Sequence, residues 1–266
     1  MPRVELSDGS ISYVDIGQGA PLLFIHGFPL DHTMWRHQID DLQADYRVLA
    51  VDLPGFGQSQ APRSDMSIAG FADCIAEFLD RIGMTKPITL CGLSMGGSIA
   101  LQFALRHPQR LARLILCDCR AMVDAPEAQK MRLDLAERVL TEGPEFVAAA
   151  MPARLFAAKT IEQHPDIVQS IQAVIRSTAS TSVAGGSRAL AHREDVVSRL
   201  GEIRVPTLII VGSEDVISTS GEMKAMAERI PLSRHVEIPG AGHMAPLEAP
   251  AQVNTEIRSW LASHST

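Results

Sequence analysis

The chain has 266 residues, of which 46% are hydrophobic and 21% charged, and its 24 basic and 31 acidic side chains give a net charge of -7. This length supports one large domain with a single core, and the composition excludes a disordered or fibrous chain. The negative charge argues against a nucleic-acid or anionic-lipid partner. No apolar run approaches the roughly 20 residues that cross a bilayer, and the N-terminus lacks a signal-peptide pattern, so we expect a cytoplasmic protein without membrane contact.

The first elements along the chain predict an antiparallel hairpin followed by buried parallel strands. Residues 4–6 and 11–14 alternate apolar and polar side chains around a turn that contains Gly9. Unbroken apolar runs, typical of strands buried on both faces, follow at residues 21–25, 47–51, 88–91, 114–117 and 207–211. Helical periodicity separates them, as over residues 68–82, where Ser67 is a candidate N-cap. The alternation predicts an α/β fold with a mostly parallel sheet and helices on both faces.

Residues 120–191 interrupt this alternation, because they contain helical stretches separated by Pro and Gly but no convincing strand. We interpret them as a helical lid inserted over the carboxyl edge of the sheet, with residues 1–119 and 192–266 forming the core. Side chains from both parts are expected to wall a substrate pocket. The candidate pocket residues are Phe28, Met95, Met122, Leu155, Phe156 and Val183.

The cysteines give no sign of metal binding or redox chemistry. They include no Cys-x-x-Cys pair and lie within apolar patterns, where a small thiol packs well. We therefore predict structural thiols at Cys74, Cys91, Cys117 and Cys119.

The segment Gly92-Leu93-Ser94-Met95-Gly96 lies directly between an apolar run and a helix-like stretch. In parallel sheets, ligands bind where strands end. Glycines on both sides permit a sharp turn that holds the central side chain outward, with the following N–H groups facing a reacting oxygen. Ser94 is therefore predicted to be a nucleophile.

A serine hydroxyl needs a base at neutral pH, and among the nine histidines His243 is the best placed. It lies in a glycine-containing loop after a strand-like run. The base in turn needs a carboxylate that fixes its tautomer. Asp215, directly after an apolar run, is favoured for this part, with Asp118 as the main alternative and Glu214 as a neighbour that could be mistaken for it. The chain order of nucleophile, acid and base is the one described for hydrolases on such sheets.

The segment His26-Gly27-Phe28-Pro29 also follows an apolar run. Its predicted contribution is a main-chain N–H opposite the turn at the serine, so that the amides of Phe28 and Met95 together stabilise an oxyanion. Pro29 has no N–H to donate. The side chain of His26 is interpreted as a structural hydrogen-bonding group.

These motifs together resemble those of the α/β-hydrolase superfamily, and the resemblance extends over nearly the whole chain. The matching segments are His26-Gly27-Phe28, Asp52-Leu53-Pro54-Gly55-Phe56-Gly57-Gln58-Ser59, Gly92-Leu93-Ser94-Met95-Gly96-Gly97, Gly212-Ser213-Glu214-Asp215 and Gly240-Ala241-Gly242-His243. Two further stretches, 30–35 and 247–250, are similar to small bacterial carboxylesterases and 3-oxoadipate enol-lactonase-like enzymes. The resemblance implies an eight-stranded α/β-hydrolase sheet and requires neither a metal nor a cofactor.

By the same resemblance, Ser94 is the nucleophile, Asp215 the acid, His243 the base, and the amides of Phe28 and Met95 form the oxyanion hole. A serine at this turn, where haloalkane dehalogenases and epoxide hydrolases have an aspartate, implies acyl transfer. The leading hypothesis is a serine carboxylesterase or lactonase that acts on a small, fairly apolar ester. A carbon-carbon bond hydrolase or a cofactor-free perhydrolase remains an alternative. A ligand-binding protein without turnover is a third hypothesis, and the complete set of catalytic residue types argues against it.

Overall fold

An eight-stranded sheet forms the centre of the structure, a computed structural model that describes residues 1–264. Its strands are β1 (Arg3–Glu5), β2 (Ser10–Ile16), β3 (Pro21–Ile25), β4 (Arg47–Asp52), β5 (Ile88–Leu93), β6 (Leu111–Cys117), β7 (Thr207–Gly212) and β8 (Ser233–Ile238). They lie side by side in the order β1-β2-β4-β3-β5-β6-β7-β8. β2 pairs antiparallel with both β1 and β4, whereas all the other pairs are parallel. The predicted fold class, with its N-terminal hairpin, is confirmed.

The helices connect these strands and cover the sheet. They are α1 (Arg36–Leu42), α2 (Ile68–Arg81), α3 (Met95–Arg106), α4 (Pro126–Glu142), α5 (Glu145–Ala150), α6 (Pro152–Leu155), α7 (Ala158–Gln163), α8 (Pro165–Ser177), α9 (Ser180–Ala191), α10 (Ser220–Ala227), α11 (Ala245–Glu248) and α12 (Pro250–Ser263). α2 packs against α3, and α1 packs against α12. Ser67 caps α2 as predicted, since its hydroxyl accepts a hydrogen bond from the N–H of Gly70 at 3.0 Å. No helix among residues 1–264 is both long and apolar enough to span a membrane.

The central strands explain the unbroken apolar runs in the sequence. β5 and β7 are buried along their full length, because the sheet is covered on both faces. Since β5 to β8 run parallel, their carboxyl ends meet at one edge of the sheet. Ser94, Asp118, Asp215 and His243 all follow these strand ends and are thereby brought to the same edge.

The helices α4 to α9 lie between β6 and β7 in the chain, within the interval for which a lid is predicted. α4 packs along α9, and their facing sides bury small and branched side chains such as Ala136, Val139 and Val183. We call residues 120–191 the cap region from here on. Its division from the core as a separate lid stays a prediction.

Candidate active site

Ser94 occupies a strained turn between β5 and α3. Its backbone has φ 55° and ψ -114°, in the positive-φ region that side chains other than glycine rarely adopt. The flanking glycines make this turn sterically possible. A Cβ atom on Gly92 would collide with the carbonyl oxygen of Gly96, and one on Gly96 would collide with the carbonyl oxygen of Ile25. The Gly-x-Ser-x-Gly pattern is therefore a requirement of close backbone contact around the serine.

A continuous chain of hydrogen bonds links Ser94 to a buried carboxylate. His243 Nε2 lies 2.8 Å from Ser94 Oγ, and His243 Nδ1 lies 2.8 Å from Asp215 Oδ2. The side chains of His243 and Asp215 are 2% and 0% exposed, so water does not compete for these bonds. The other oxygen, Asp215 Oδ1, accepts hydrogen bonds from the backbone N–H groups of Ile217 at 2.7 Å and Ser218 at 3.1 Å. These two amides fix the direction in which the carboxylate faces the imidazole.

The two alternative acids lie outside this chain of hydrogen bonds. Glu214 is exposed to solvent. Asp118 is fully buried, and its Oδ1 accepts a hydrogen bond from the N–H of Gly212 at 2.8 Å, while its Oδ2 has no partner among residues 1–264. Burial, followed by the negative charge of Asp215, raises the pKa of Asp118 well above its ordinary value.

The loop after β3 faces the serine turn. Phe28 and Met95 both line the cavity in front of Ser94, and within residues 1–264 neither backbone N–H donates a hydrogen bond to the protein. His26 lies beneath this loop, with its Nε2 accepting from the N–H of Leu53 at 3.0 Å and its Nδ1 donating to the carbonyl of Gly27 at 2.9 Å. Burial lowers the pKa of His26. Its two hydrogen bonds fit the predicted role of a structural hydrogen-bonding group.

The cavity in front of Ser94 has a volume of about 130 Å³. Of the pocket residues proposed from sequence, Phe28, Met95 and Leu155 line it. Three others do not, which corrects the sequence-based pocket. Val183 is completely buried in the packing of the cap region, and Phe156 is also buried away from the cavity. Met122 instead lines a neighbouring, mostly apolar cavity of about 450 Å³.

Sequence reasoning missed a group of cavity residues that are polar or charged. Besides Ser98 and Ser218, the cavity is lined by Arg120, Arg132, Arg154 and Arg193. Arg132 and Arg154 lie on helices of the cap region, whereas Arg120 and Arg193 lie in the segments after β6 and α9. A charged residue at such positions is most often exposed to solvent. Only the folded structure, in which all four arginines line one cavity, distinguishes them from surface residues.

Glu248 joins the loop around the histidine to the cap region. Its Oε1 accepts hydrogen bonds from the N–H groups of Gly242 at 2.8 Å and Met244 at 3.2 Å, on either side of the histidine. Its Oε2 accepts from the N–H of Ala157 at 2.9 Å and the hydroxyl of Thr160 at 2.7 Å. Burial raises the pKa of Glu248, although all four hydrogen bonds favour the charged form. One carboxylate thus positions both the histidine loop and the start of α7.

Replacing Glu248 with alanine should lower both stability and activity. The change leaves four donors without their acceptor, and we expect the free energy of unfolding to fall by about 2 to 3 kcal/mol. Loss of the support for the histidine loop should lower kcat by roughly ten- to hundredfold. Urea unfolding and ester hydrolysis measure the two effects.

The Glu248→Gln variant provides a graded comparison. An amide has one oxygen that accepts hydrogen bonds instead of two, so we expect about half of the losses in stability and activity that Glu248→Ala causes. Glu256→Ala on α12 serves as the control, because it removes a carboxylate that, among residues 1–264, pairs only with Arg234. Equal losses in Glu248→Ala and Glu256→Ala would contradict the positioning role.

The nearest approach to a metal-ligand cluster in the described part of the chain is formed by Asp31, His32 and Asp52, whose ligating atoms lie within 4.8 Å of one another. These side chains already form hydrogen bonds with one another or with the backbone. Asp52 Oδ1 accepts from His32 Nδ1 at 2.7 Å, and Asp31 caps the following turn through the N–H of Thr33. The arrangement is fully accounted for by local structure.

Comparison with known proteins agrees with this fold. A family model described as alpha/beta hydrolase fold matches residues 20–250. Among curated proteins, 3-oxoadipate enol-lactonase 2 of Acinetobacter baylyi is 27% identical over 254 residues, covering 95% of this chain and 93% of that protein.

Solved structures show the same relationship. A thermophilic esterase from Thermogutta terrifontis, in a malate-bound form, is 42% identical with a TM-score of 0.97 over the full length of both chains. The enol-lactonase from Burkholderia xenovorans LB400 is 27% identical with a TM-score of 0.92, over 98% of this chain and all of that one. The similarity to carboxylesterases and enol-lactonases indicated by the sequence is confirmed, and the chain belongs to the alpha/beta hydrolase fold family.

Proposed function

We propose that this protein is a serine hydrolase that cleaves small carboxylic esters or lactones through an acyl-enzyme. The observation that carries the proposal is the unbroken chain of hydrogen bonds from Ser94 Oγ through His243 to Asp215, opening onto a cavity. Similarity to proteins named esterase and enol-lactonase supports the ester or lactone as the reacting group. The small cavity favours a short acyl chain.

The proposed mechanism has two acyl-transfer steps. His243 Nε2 takes the proton of Ser94 as the serine oxygen attacks the carbonyl carbon, and the imidazolium that forms is stabilised by Asp215. The N–H groups of Phe28 and Met95 donate to the oxyanion of the tetrahedral intermediate. His243 then protonates the leaving alkoxide, or the ring oxygen of a lactone. In the second step a water molecule gives a proton to His243 and attacks the acyl carbon. The bond from that carbon to Ser94 Oγ then breaks, His243 returns the proton to Ser94, and the acid is released.

Covalent labelling tests the proposal directly. A serine-directed phosphonate should add one phosphonyl group to the wild type by intact mass, and p-nitrophenyl acetate and butyrate should be turned over. Labelling should disappear in Ser94→Ala but persist in Ser98→Ala, which removes a second serine hydroxyl from the same cavity.

Two results would contradict this function. Labelling that survives in Ser94→Ala would reject Ser94 as the nucleophile. Labelling at Ser94 without turnover of any ester would instead favour carbon-carbon bond cleavage or ligand binding.

A further inference from the structure

Several positively charged side chains line the cavity in front of Ser94. The inference drawn from them concerns the class of substrate and rests on the proposed hydrolase function. Four of the lining residues are arginines: Arg120, Arg132, Arg154 and Arg193. No aspartate or glutamate of residues 1–264 is part of this lining. A chain whose net charge is -7 thus presents a positively charged wall at the proposed site of bond cleavage.

Three of the four arginines are held by one buried carboxylate. Asp124, whose side chain is 3% exposed, accepts from Arg193 Nη2 at 2.7 Å and from Arg132 Nε at 2.5 Å. Arg120 Nη1 approaches the same carboxylate at 3.3 Å, and its Nη2 donates to Glu222 at 2.7 Å. These two carboxylates balance two of the four positive charges, so a net positive charge remains beside the cavity.

Several guanidinium N–H groups here have no acceptor within residues 1–264. Arg154, on α6, donates no hydrogen bond to the residues that the structure describes, and its side chain is exposed where the cavity meets solvent. Arg132 uses only Nε in its bond to Asp124, and Arg120 Nε is buried with no acceptor within residues 1–264. N–H groups of this kind gain most from an ionised acceptor.

We propose that the natural substrate carries a free carboxylate in addition to its ester or lactone group, and that Arg154 binds this carboxylate. A guanidinium presents a planar pair of N–H groups that matches a carboxylate in shape and charge. Arg154 is assigned this role because the other three arginines are already fixed by Asp124 before a substrate enters. The carboxylate is bound and orients the substrate, while Ser94 acts on the other end.

Pairs of ethyl esters that differ only at the far end of the acyl chain test this assignment. Monoethyl succinate, glutarate and adipate carry a carboxylate where ethyl butanoate, pentanoate and hexanoate carry a methyl group. For at least one length, we expect kcat/KM of the wild type to favour the half-ester by about tenfold or more. The preference should shrink in about 0.5 M salt, because an exposed guanidinium is screened.

Variants of Arg154 separate its contribution from general electrostatics. Arg154→Gln should bring the ratio of kcat/KM for the half-ester to kcat/KM for its neutral partner to about one. Arg154→Lys keeps the charge but lacks the planar pair of N–H groups, and it should give an intermediate ratio. Lys159→Gln removes one positive charge from the neighbouring α7 outside the cavity lining and should leave the ratio unchanged.

The possible results distinguish a failure of the carboxylate subsite from a failure of the proposed hydrolase function. Half-esters that are no better than their neutral partners at every length in the wild type would overturn the subsite. An equal fall of the kcat/KM ratio in Lys159→Gln and Arg154→Gln would also overturn the subsite. Phosphonate labelling of Ser94 with turnover of neutral esters would then show that the hydrolase function stands without it, whereas absence of labelling would overturn both.

Discussion

Replacing Ser94 with alanine should lower kcat for a short ester by about 10⁵- to 10⁶-fold. The change removes the atom proposed to form the acyl-enzyme, and His243 Nε2 loses the hydroxyl whose proton it would accept. Residual hydrolysis over the uncatalysed rate should persist, because the amides of Phe28 and Met95 remain able to stabilise an oxyanion attacked by water. Steady-state hydrolysis of p-nitrophenyl acetate, with the acyl-enzyme followed by intact mass, measures the loss.

The matched control is Ser98→Ala, which removes a hydroxyl that lines the same cavity and donates to the carbonyl of Arg120. Its activity should stay close to that of the wild type. A Ser94→Ala variant that keeps more than about a hundredth of the activity would show that another group forms the covalent bond.

Replacing Asp215 with asparagine should lower kcat by about 10⁴-fold, because the amide selects the wrong histidine tautomer. The oxygen of the asparagine can keep the two hydrogen bonds from Ile217 and Ser218, which leaves its NH₂ group facing His243 Nδ1. Nδ1 then accepts a hydrogen bond, the proton moves to Nε2, and Nε2 can no longer accept the proton of Ser94. Steady-state ester hydrolysis by the purified variant measures this loss.

Asp118→Asn distinguishes the two acids. The asparagine oxygen can accept the hydrogen bond from Gly212, and an amide also avoids the burial and the repulsion from Asp215 that raise the pKa of Asp118. We expect its activity to remain within about threefold of the wild type. Equal losses in Asp118→Asn and Asp215→Asn would instead assign the acid role to both carboxylates.

The sheet and the chain of catalytic residue types were predictable because each depends on local signals. Unbroken apolar runs identify the buried strands β5 and β7, and the hydroxyl of Ser67 caps α2 as its position before the helical pattern indicates. Since ligands bind where parallel strands end, polar residues directly after those runs were the natural candidates. Ser94 and Asp215, which follow β5 and β7, each lie within hydrogen-bond distance of His243, which follows β8.

The pocket was less predictable, because its walls depend on how the cap region packs. Val183 lies on a helix whose periodicity indicates a buried side chain, but periodicity does not say whether that side chain faces a cavity or another helix. Val183 packs inside the cap region, and Met122 faces the neighbouring cavity. The role of Glu248 was not predictable from local signals either, since two of its four hydrogen bonds reach Ala157 and Thr160, 91 and 88 residues away in the chain.

The positive φ of Ser94 makes the residue needed for the proposed activity unfavourable for the stability of the fold. Holding a residue other than glycine in such a conformation costs about 1 to 3 kcal/mol, and glycine adopts it with little strain. Directed evolution that selects only for survival at high temperature would therefore enrich glycine at position 94 and discard the proposed nucleophile. A search for more heat-resistant forms of this enzyme has to score turnover in every round, since at this residue the more stable chain would lack the proposed nucleophile.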